Sequence, residues 1–352
     1  MMKQDLKSLN RKEMINWFKK ENYPGFRAEQ VFNWIYKNGV DSFHEMTNLP
    51  EELRSELDEK ASVKSNLLLK KTLQASDGTI KYLWELTDGE TLESVYLPFY
   101  EDMRHSVCIS TQLGCAMNCI FCATGKGGLV RNLTTGEIID QVLEIQKDIS
   151  SGEFGKPGIT NVVLMGMGEP LANFDNVIKA VEILNDEKGF AIGIRRITVS
   201  SSGLVPGIRR LAELNLQLVL AVSLNAPNDL LRNTLMPINR KYPLDELLSA
   251  VKYYIKKTSR RVTFEYILID NVNDSPEQAY ELVSLLRGIK CHLNLIPLNP
   301  VRGVKYRRPA REKILLFRDI IEKNGIAVTI RQERGPDIEA ACGQLRHSGS
   351  KG

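Results

Sequence analysis

The stretch CISTQLGCAMNCIFCATG, Cys108–Gly125, decides how the chain is read. Its first residues continue the apolar, β-like run Ser106–Thr111, so the cysteines that follow sit on a loop leaving a strand. Cys115, Cys119 and Cys122 form a C-x3-C-x2-C triplet. Three thiolates at this spacing can wrap one corner of an iron–sulfur cubane, which normally takes four Cys ligands. A triplet leaves one iron free to bind a small molecule. Structural zinc sites are instead closed by four ligands, usually as two C-x2-4-C pairs. Here there is one triplet and no second pair, with Cys108 as the available fourth sulfur for that alternative.

Outward from this loop, apolar runs alternate with helical segments. The strand candidates are Ser106–Thr111, Asn161–Met165, Arg196–Ser200, Gln217–Leu224, Arg261–Ile269, His292–Pro297 and Ile326–Arg331. Between the first two, Thr134–Ile149 reads as a helix. Thr134 and Glu137 form a candidate capping box, and Ile138, Val142, Ile145 and Ile149 share one face. Repeated βα units imply a parallel sheet with crossovers. The fold class is therefore α/β, a complete or partial barrel whose ligands gather at the C-terminal ends of strands. Upstream, residues 1–60 read as helices. Leu67–Gln74, Thr79–Leu86 and Thr91–Pro98 read as a small antiparallel sheet with turns at Asp77-Gly78 and Asp88-Gly89.

Strand ends carry the polar residues. Gly166-Met167-Gly168-Glu169-Pro170 follows the second barrel strand. Its glycines allow close backbone approach, and Glu169 can accept hydrogen bonds from an ammonium group. The segment lacks the third glycine of a dinucleotide fingerprint. Ser200 ends the third strand, Ser223-Leu224-Asn225 the fourth, and Asn299 lies just past Pro297. Each alone reads as a turn or cap residue; together they outline a ligand site. Cys342, flanked by Ala340, Ala341 and Gly343, has little bulk around it and reads as a candidate nucleophile.

The bulk properties fit this picture. Hydrophobic content of 43% and charged content of 26% over 352 residues are those of a globular chain with a large core. Met1–Ser8 has no apolar segment of a secretory signal, and the longest uncharged run is the Cys loop, too polar for a membrane span. Six cysteines, three at ligand spacing, fit a reducing cytoplasm better than a disulfide framework. Residues 1–100 hold 14 Lys/Arg against 16 Asp/Glu, and the remainder 33 against 27. The basic stretches Lys256–Arg261 and Arg302–Arg311 suit a nucleic-acid partner, although charge runs are usually plain solvated surface.

With these residues in view, the chain resembles the radical S-adenosylmethionine (SAM) RNA adenine methyltransferases of the RlmN/Cfr family. The segments that carry the resemblance are ESVYLP (Glu93–Pro98), Cys108–Gly125, GMGEP, RRITVSSSGLVPGI (Arg195–Ile208), LMPINRKYPLDEL (Leu235–Leu247), NVND (Asn271–Asp274) and IEAACGQL (Ile338–Leu345). They span nearly the whole chain. One departure is SLNAP at Ser223–Pro227, where SLHAP is expected; Asn225 keeps a polar group there.

The resemblance implies a partial (βα)6-type radical SAM barrel over residues 93–346, an accessory module over 1–92 as a candidate RNA-docking element, and a flexible tail over 347–352. It implies a [4Fe-4S] cluster on Cys115, Cys119 and Cys122. SAM would be held by Gly168, Glu169, Ser200, Ser223, Leu224, Asn225 and Asn299. Cys342 would accept a methyl group and carry it to C2 of an adenine, and Cys108 would release the product by forming a disulfide with Cys342. Glu93 matches a position associated with proton transfer. The implied substrates are adenine 2503 of 23S ribosomal RNA and adenine 37 of transfer RNA. The implied electron donor is a flavodoxin or ferredoxin, with no membrane partner. GMGEP favours C2 over the Cfr-type C8 reaction, for which GMGEA is expected. A zinc-organised RNA-binding protein without catalysis is the alternative of another class.

Overall fold

The computed structural model describes residues 3–150, 158–301 and 305–346. The expected tail, 347–352, and residues 302–304 of the basic stretch lie outside the described residues.

The chain opens with β1 (Gln4–Asp5), α1 (Arg11–Lys20), α2 (Gly25–Asn33) and α3 (Glu51–Lys60), and β2 (Ala61–Ser62) returns to pair with β1. Asn10 caps α1 and forms a capping box with Glu13. Met14, Phe18, Val31, Phe32 and Ile35 close the core of this helical unit.

Ten strands then form one sheet in sequential order. Three are antiparallel: β3 (Leu67–Gln74), β4 (Ile80–Leu86) and β5 (Thr91–Phe99). Next comes β6 (Arg104–Cys108), and a short hairpin of β7 (Gln112–Gly114) and β8 (Leu129–Asn132) stands apart as its own small sheet. The helices and strands that follow alternate: α4 (Thr135–Ser150), β9 (Asn161–Leu164), α5 (Phe174–Asn185), β10 (Ile197–Ser201), α6 (Val205–Glu213) and β11 (Val219–Ser223). Two helices, α7 (Asp229–Leu235) and α8 (Leu244–Thr258), precede β12 (Val262–Leu268). The chain ends with α9 (Pro276–Leu286), β13 (Cys291–Pro297), α10 (Arg311–Lys323) and β14 (Val328–Ile330).

Strands β6 and β9 to β14 are mutually parallel, and each from β9 onward is reached through at least one helix. The two ends of the sheet, β3 and β14, do not pair, so the barrel is partial. The capping box expected for α4 is formed. Glu137 N–H donates to Thr134 Oγ1 (3.2 Å), and Thr134 N–H donates to Glu137 Oε2 (2.8 Å).

The sheet is continuous across the boundary expected at residue 92. Strand β5 pairs with β6, Val95 opposite Cys108, so the antiparallel strands extend the barrel sheet. Its residues Leu92–Pro98 are buried without interruption, as in a strand covered on both faces. The helical unit is docked by a buried ion pair: Lys7 Nζ lies 2.7 Å from Asp140 on α4, with both side chains fully buried. Asn66 donates two further hydrogen bonds to Asp140, each 2.8 Å. Burial still holds the Asp140 carboxyl above its usual range, at about 6.

Candidate active site

The Cys loop hangs from the β7–β8 hairpin. At its neck Gly114 has φ +74°, and an added Cβ would stand 1.9 Å from the Gly128 carbonyl. Only glycine fits there. Across that neck Cys115 N–H donates to Gly128 O (2.8 Å). Two other parts of the chain hold the loop. Ile120 N–H donates to Leu235 O at the end of α7 (3.1 Å), and Ala123 N–H donates to Gly343 O (2.8 Å). Phe121 packs with Leu235, Met236 and Leu298 in a small apolar cluster that also takes Cys119 and Cys122.

Burial pushes the Cys115 thiol up to about 12, and Cys119 higher still. Thiolates in such a place need a compensating metal charge, and soft sulfur donors suit iron–sulfur chemistry. The loop therefore fits a cluster. Among the described residues no three His, Cys, Asp or Glu side chains converge as ligands of one metal ion. Cys108, the fourth sulfur of the zinc alternative, lies on β6 and not on the loop.

Glu169 is buried behind the loop. Its Oε2 accepts from Ser202 N–H and Oγ, both 2.7 Å, and its Oε1 accepts from Leu171 N–H (3.2 Å). Burial raises its affinity for a proton. Gly168 (φ +102°) serves contact within the protein: an added Cβ would lie 2.6 Å from Gln112 Cβ, so the space read as ligand access is filled by Gln112. Gln112 Oε1 in turn accepts from Glu169 N–H (2.7 Å).

The other strand-end residues divide. Ser200 Oγ donates to Leu164 O on the neighbouring strand (2.7 Å). Asn225, at φ +59°, spends its side chain on Ile267 N–H (2.8 Å) and Met236 Sδ (3.2 Å). Ser223 and Leu224 offer backbone carbonyls, and both accept from Arg232 at 3.0 Å.

Arg232, which carries no sequence signal, organises this side. Fully buried, it also donates to Ser202 O and to Asn239 Oδ1, each 2.8 Å. Among the described residues no carboxylate lies within salt-bridge distance of it. Burial pulls it down to about 10, while the nearby Cys119 and Asp229 act in the opposite sense.

On the other side a cavity of about 610 Å³ is lined by Cys108, Cys122, Asn299, Arg331 and Cys342. Cys108 is buried, which pushes its thiol up to about 12, whereas Cys342 is half-buried; both are free thiols. Arg331 is held above its usual range by Cys342 first, with Glu265 and Cys108 adding. Asn299 Nδ2 donates to Cys342 O (3.1 Å). Glu93 is not on the cavity wall. Its Oε2 accepts from Arg346 N–H (3.0 Å) and its Oε1 pairs with Lys81 Nζ (3.3 Å).

Comparison with known proteins identifies the family. Residues 109–283 match the Radical SAM superfamily, and residues 4–63 match the Ribosomal RNA large subunit methyltransferase N-terminal domain. A probable dual-specificity RNA methyltransferase RlmN of Symbiobacterium thermophilum is 50% identical, covering 98% of this chain and 92% of that one. The chain belongs to the RlmN family. A Bacillus cereus RlmN is 47% identical, over 98% of this chain and 94% of its own. The crystal structure of a radical SAM methyltransferase from Sphaerobacter thermophilus superposes with a TM-score of 0.91 at 47% identity, covering 97% and 99% of the two chains.

As an RlmN-family member the protein is a SAM-dependent RNA methyltransferase that uses a [4Fe-4S] cluster and SAM. A catalytically inert zinc protein is thereby set aside. No helix among the described residues is long and apolar enough to cross a membrane.

Proposed function

We propose that the enzyme methylates C2 of an adenine in 23S ribosomal RNA, the family position 2503, and adenine 37 of transfer RNA, with Cys342 as methyl carrier. The observation that carries this reading is the pair of free thiols, Cys108 and Cys342, lining one cavity together with Cys122 of the cluster loop. Cys115, Cys119 and Cys122 would hold the cluster, and Glu169 and the ends of β10, β11 and β13 would hold SAM.

C2 of adenine is not a nucleophile, so a sulfonium methyl cannot pass to it directly. When bound, the cluster and SAM would supply a carbon-centred radical that takes one hydrogen atom from the Cys342 S-methyl group, and the S-methylene radical left on Cys342 adds where an electrophile cannot. The chain's own residues do the rest. Cys342 sulfur bonds to the SAM methyl as the sulfonium C–S bond breaks and the thiol proton is lost. Asn299 fixes the Cys342 backbone, and Arg331 presents positive charge to both thiols. After the carbon has joined C2, the ring gives up its C2 proton to solvent and one electron to the one-electron carrier that serves the cluster, and Cys108 then attacks Cys342 sulfur. The S–S bond forms, the S–C bond breaks, and its electron pair takes a proton at the new methyl group. Glu93 is assigned to proton transfer. A flavodoxin or ferredoxin supplies electrons, and the reducing cytoplasm is the setting. The target base must leave its stack to enter the cavity.

The runner-up is C8 methylation of the same base, disfavoured by Pro170 in GMGEP. The test treats unmodified ribosomal and transfer RNA with cluster-loaded enzyme, SAM and reductant. Nucleosides are then separated against 2-methyl- and 8-methyladenosine. The 2-methyl product supports the reading, and the 8-methyl product alone contradicts it.

A further inference from the structure

We propose that the tip of the β5–β6 hairpin is a stacking platform for unpaired nucleotides flanking the target adenine. This rests on the functional reading above, in which an adenine enters the cavity. Phe99, at the end of β5, lines the cavity and carries two guanidinium groups on its ring. Arg104 lies 4.0 Å and Arg334 4.7 Å from the ring centroid. The Nε of each is buried without a hydrogen-bond partner, so the ring is the contact that orients them. Their nearest acids are weak partners: Arg104–Asp102 and Arg334–Asp77 are both 3.8 Å.

The turn beyond Phe99 presents apolar surface. Tyr100 is 69% and Met103 79% exposed. Met103 adopts φ +48° to close the turn, a conformation that a residue with a side chain takes up only under local constraint. Gly78 lies close to Tyr100: a Cβ added there would stand 2.7 Å from its hydroxyl. Exposed large apolar side chains grouped beside a cavity mouth mark an interaction site. The cavity walls hold four arginines against one glutamate. An aromatic ring, a thioether and cations around the entrance to a base pocket match single-stranded RNA, whose bases stack and whose phosphates pair with Arg.

The test uses Tyr100→Ala/Met103→Ala and, separately, Arg104→Gln, in full-length cluster-loaded enzyme. The probe is an RNA oligonucleotide with the target adenine in an unpaired segment. Three quantities are read: oligonucleotide affinity at several salt concentrations, KM for RNA, and RNA-independent methylation of Cys342 by SAM. The double variant should raise Kd and KM roughly 10-fold, as expected for a lost base stack, with an unchanged salt slope. Arg104→Gln should reduce that slope by about 0.7. Cys342 methylation should be unchanged in both, which also reports correct folding. Wild-type affinity in the double variant overturns the platform, as does loss of Cys342 methylation together with RNA binding. If wild-type enzyme methylates no RNA, the functional reading fails, and the affinity arm still judges the platform.

Discussion

The side-chain amide of Asn299 donates a hydrogen bond to the backbone carbonyl of Cys342 (3.1 Å). It ties the end of β13 to a C-terminal segment that has little regular structure of its own. Two more bonds fasten the same segment to the cluster loop, Ala123 N–H to Gly343 O (2.8 Å) and Thr124 Oγ1–H to Leu345 O (2.6 Å). The backbone around Cys342, the proposed carrier, is therefore held from the two elements that face it as well as by the local Ala341–Gln344 turn. Replacing Asn299 by Ala removes one such bond, worth about 1 kcal/mol. Cys342 methylation, followed by peptide mass spectrometry, should slow roughly fivefold with cluster iron unchanged. A wild-type time course would show that the bond does not position the thiol.

Cys108 should be silent in the resting protein. Burial raises its thiol to about 12, so at pH 8 only about one molecule in 10⁴ carries the thiolate that reacts. Iodoacetamide at pH 8 should label Cys108 only after unfolding, and labelling should quicken as pH approaches 12. The same raised value predicts a stability contribution present below the unfolded thiol's range and lost as pH rises through about 12. Rapid labelling of native protein at pH 8 would contradict the buried, protonated assignment.

The Lys7–Asp140 pair should couple the N-terminal helices to the barrel. Asp140→Ala leaves the buried Lys7 ammonium with only Asp41, 3.5 Å away, and should cost about 3 kcal/mol in denaturant unfolding. Lys7→Met with Asp140→Leu should recover most of that loss. If the single and double variants are equally destabilised, the pair is not what the burial suggests.

Each cysteine of the triplet should be needed for the cluster. Single Ala replacements at Cys115, Cys119 or Cys122 should abolish visible absorbance and bound iron after anaerobic reconstitution. Full iron content in any of them would remove that cysteine from the ligand set.

Much of the fold was legible because buried parallel strands write continuous apolar runs. All seven expected barrel strands form, with ends shifted by a few residues at most. The Leu67–Gln74 strand forms with the bounds expected of it. The pattern could not say that β5 joins the barrel sheet, since a strand alternates alike in a hairpin or a larger sheet. The unbroken burial from Leu92 to Pro98 is the feature that distinguishes them, and Glu93 and Ser94 mask it in the sequence.

The site was legible where chemistry is local. The Cys triplet declares itself by spacing alone. Arg232, Arg331 and Gln112 do not, because each acts on residues far along the chain. Arg232 reaches back 30 residues to Ser202 O, and Gln112 forward 57 residues to Glu169 N–H. A lone Arg on a short helix reads as surface; only the fold makes it the fully buried side chain that binds two strand ends.

The central claim is that the methyl group reaches adenine through Cys342 and loses one hydrogen to a radical on the way. The direct measurement supplies SAM with a trideuterated methyl group to cluster-loaded enzyme and RNA, then weighs the methyladenosine. The methyl group of the product should carry two deuterium atoms and one hydrogen. A product that keeps all three deuterium atoms would mean intact methyl transfer, and would contradict it.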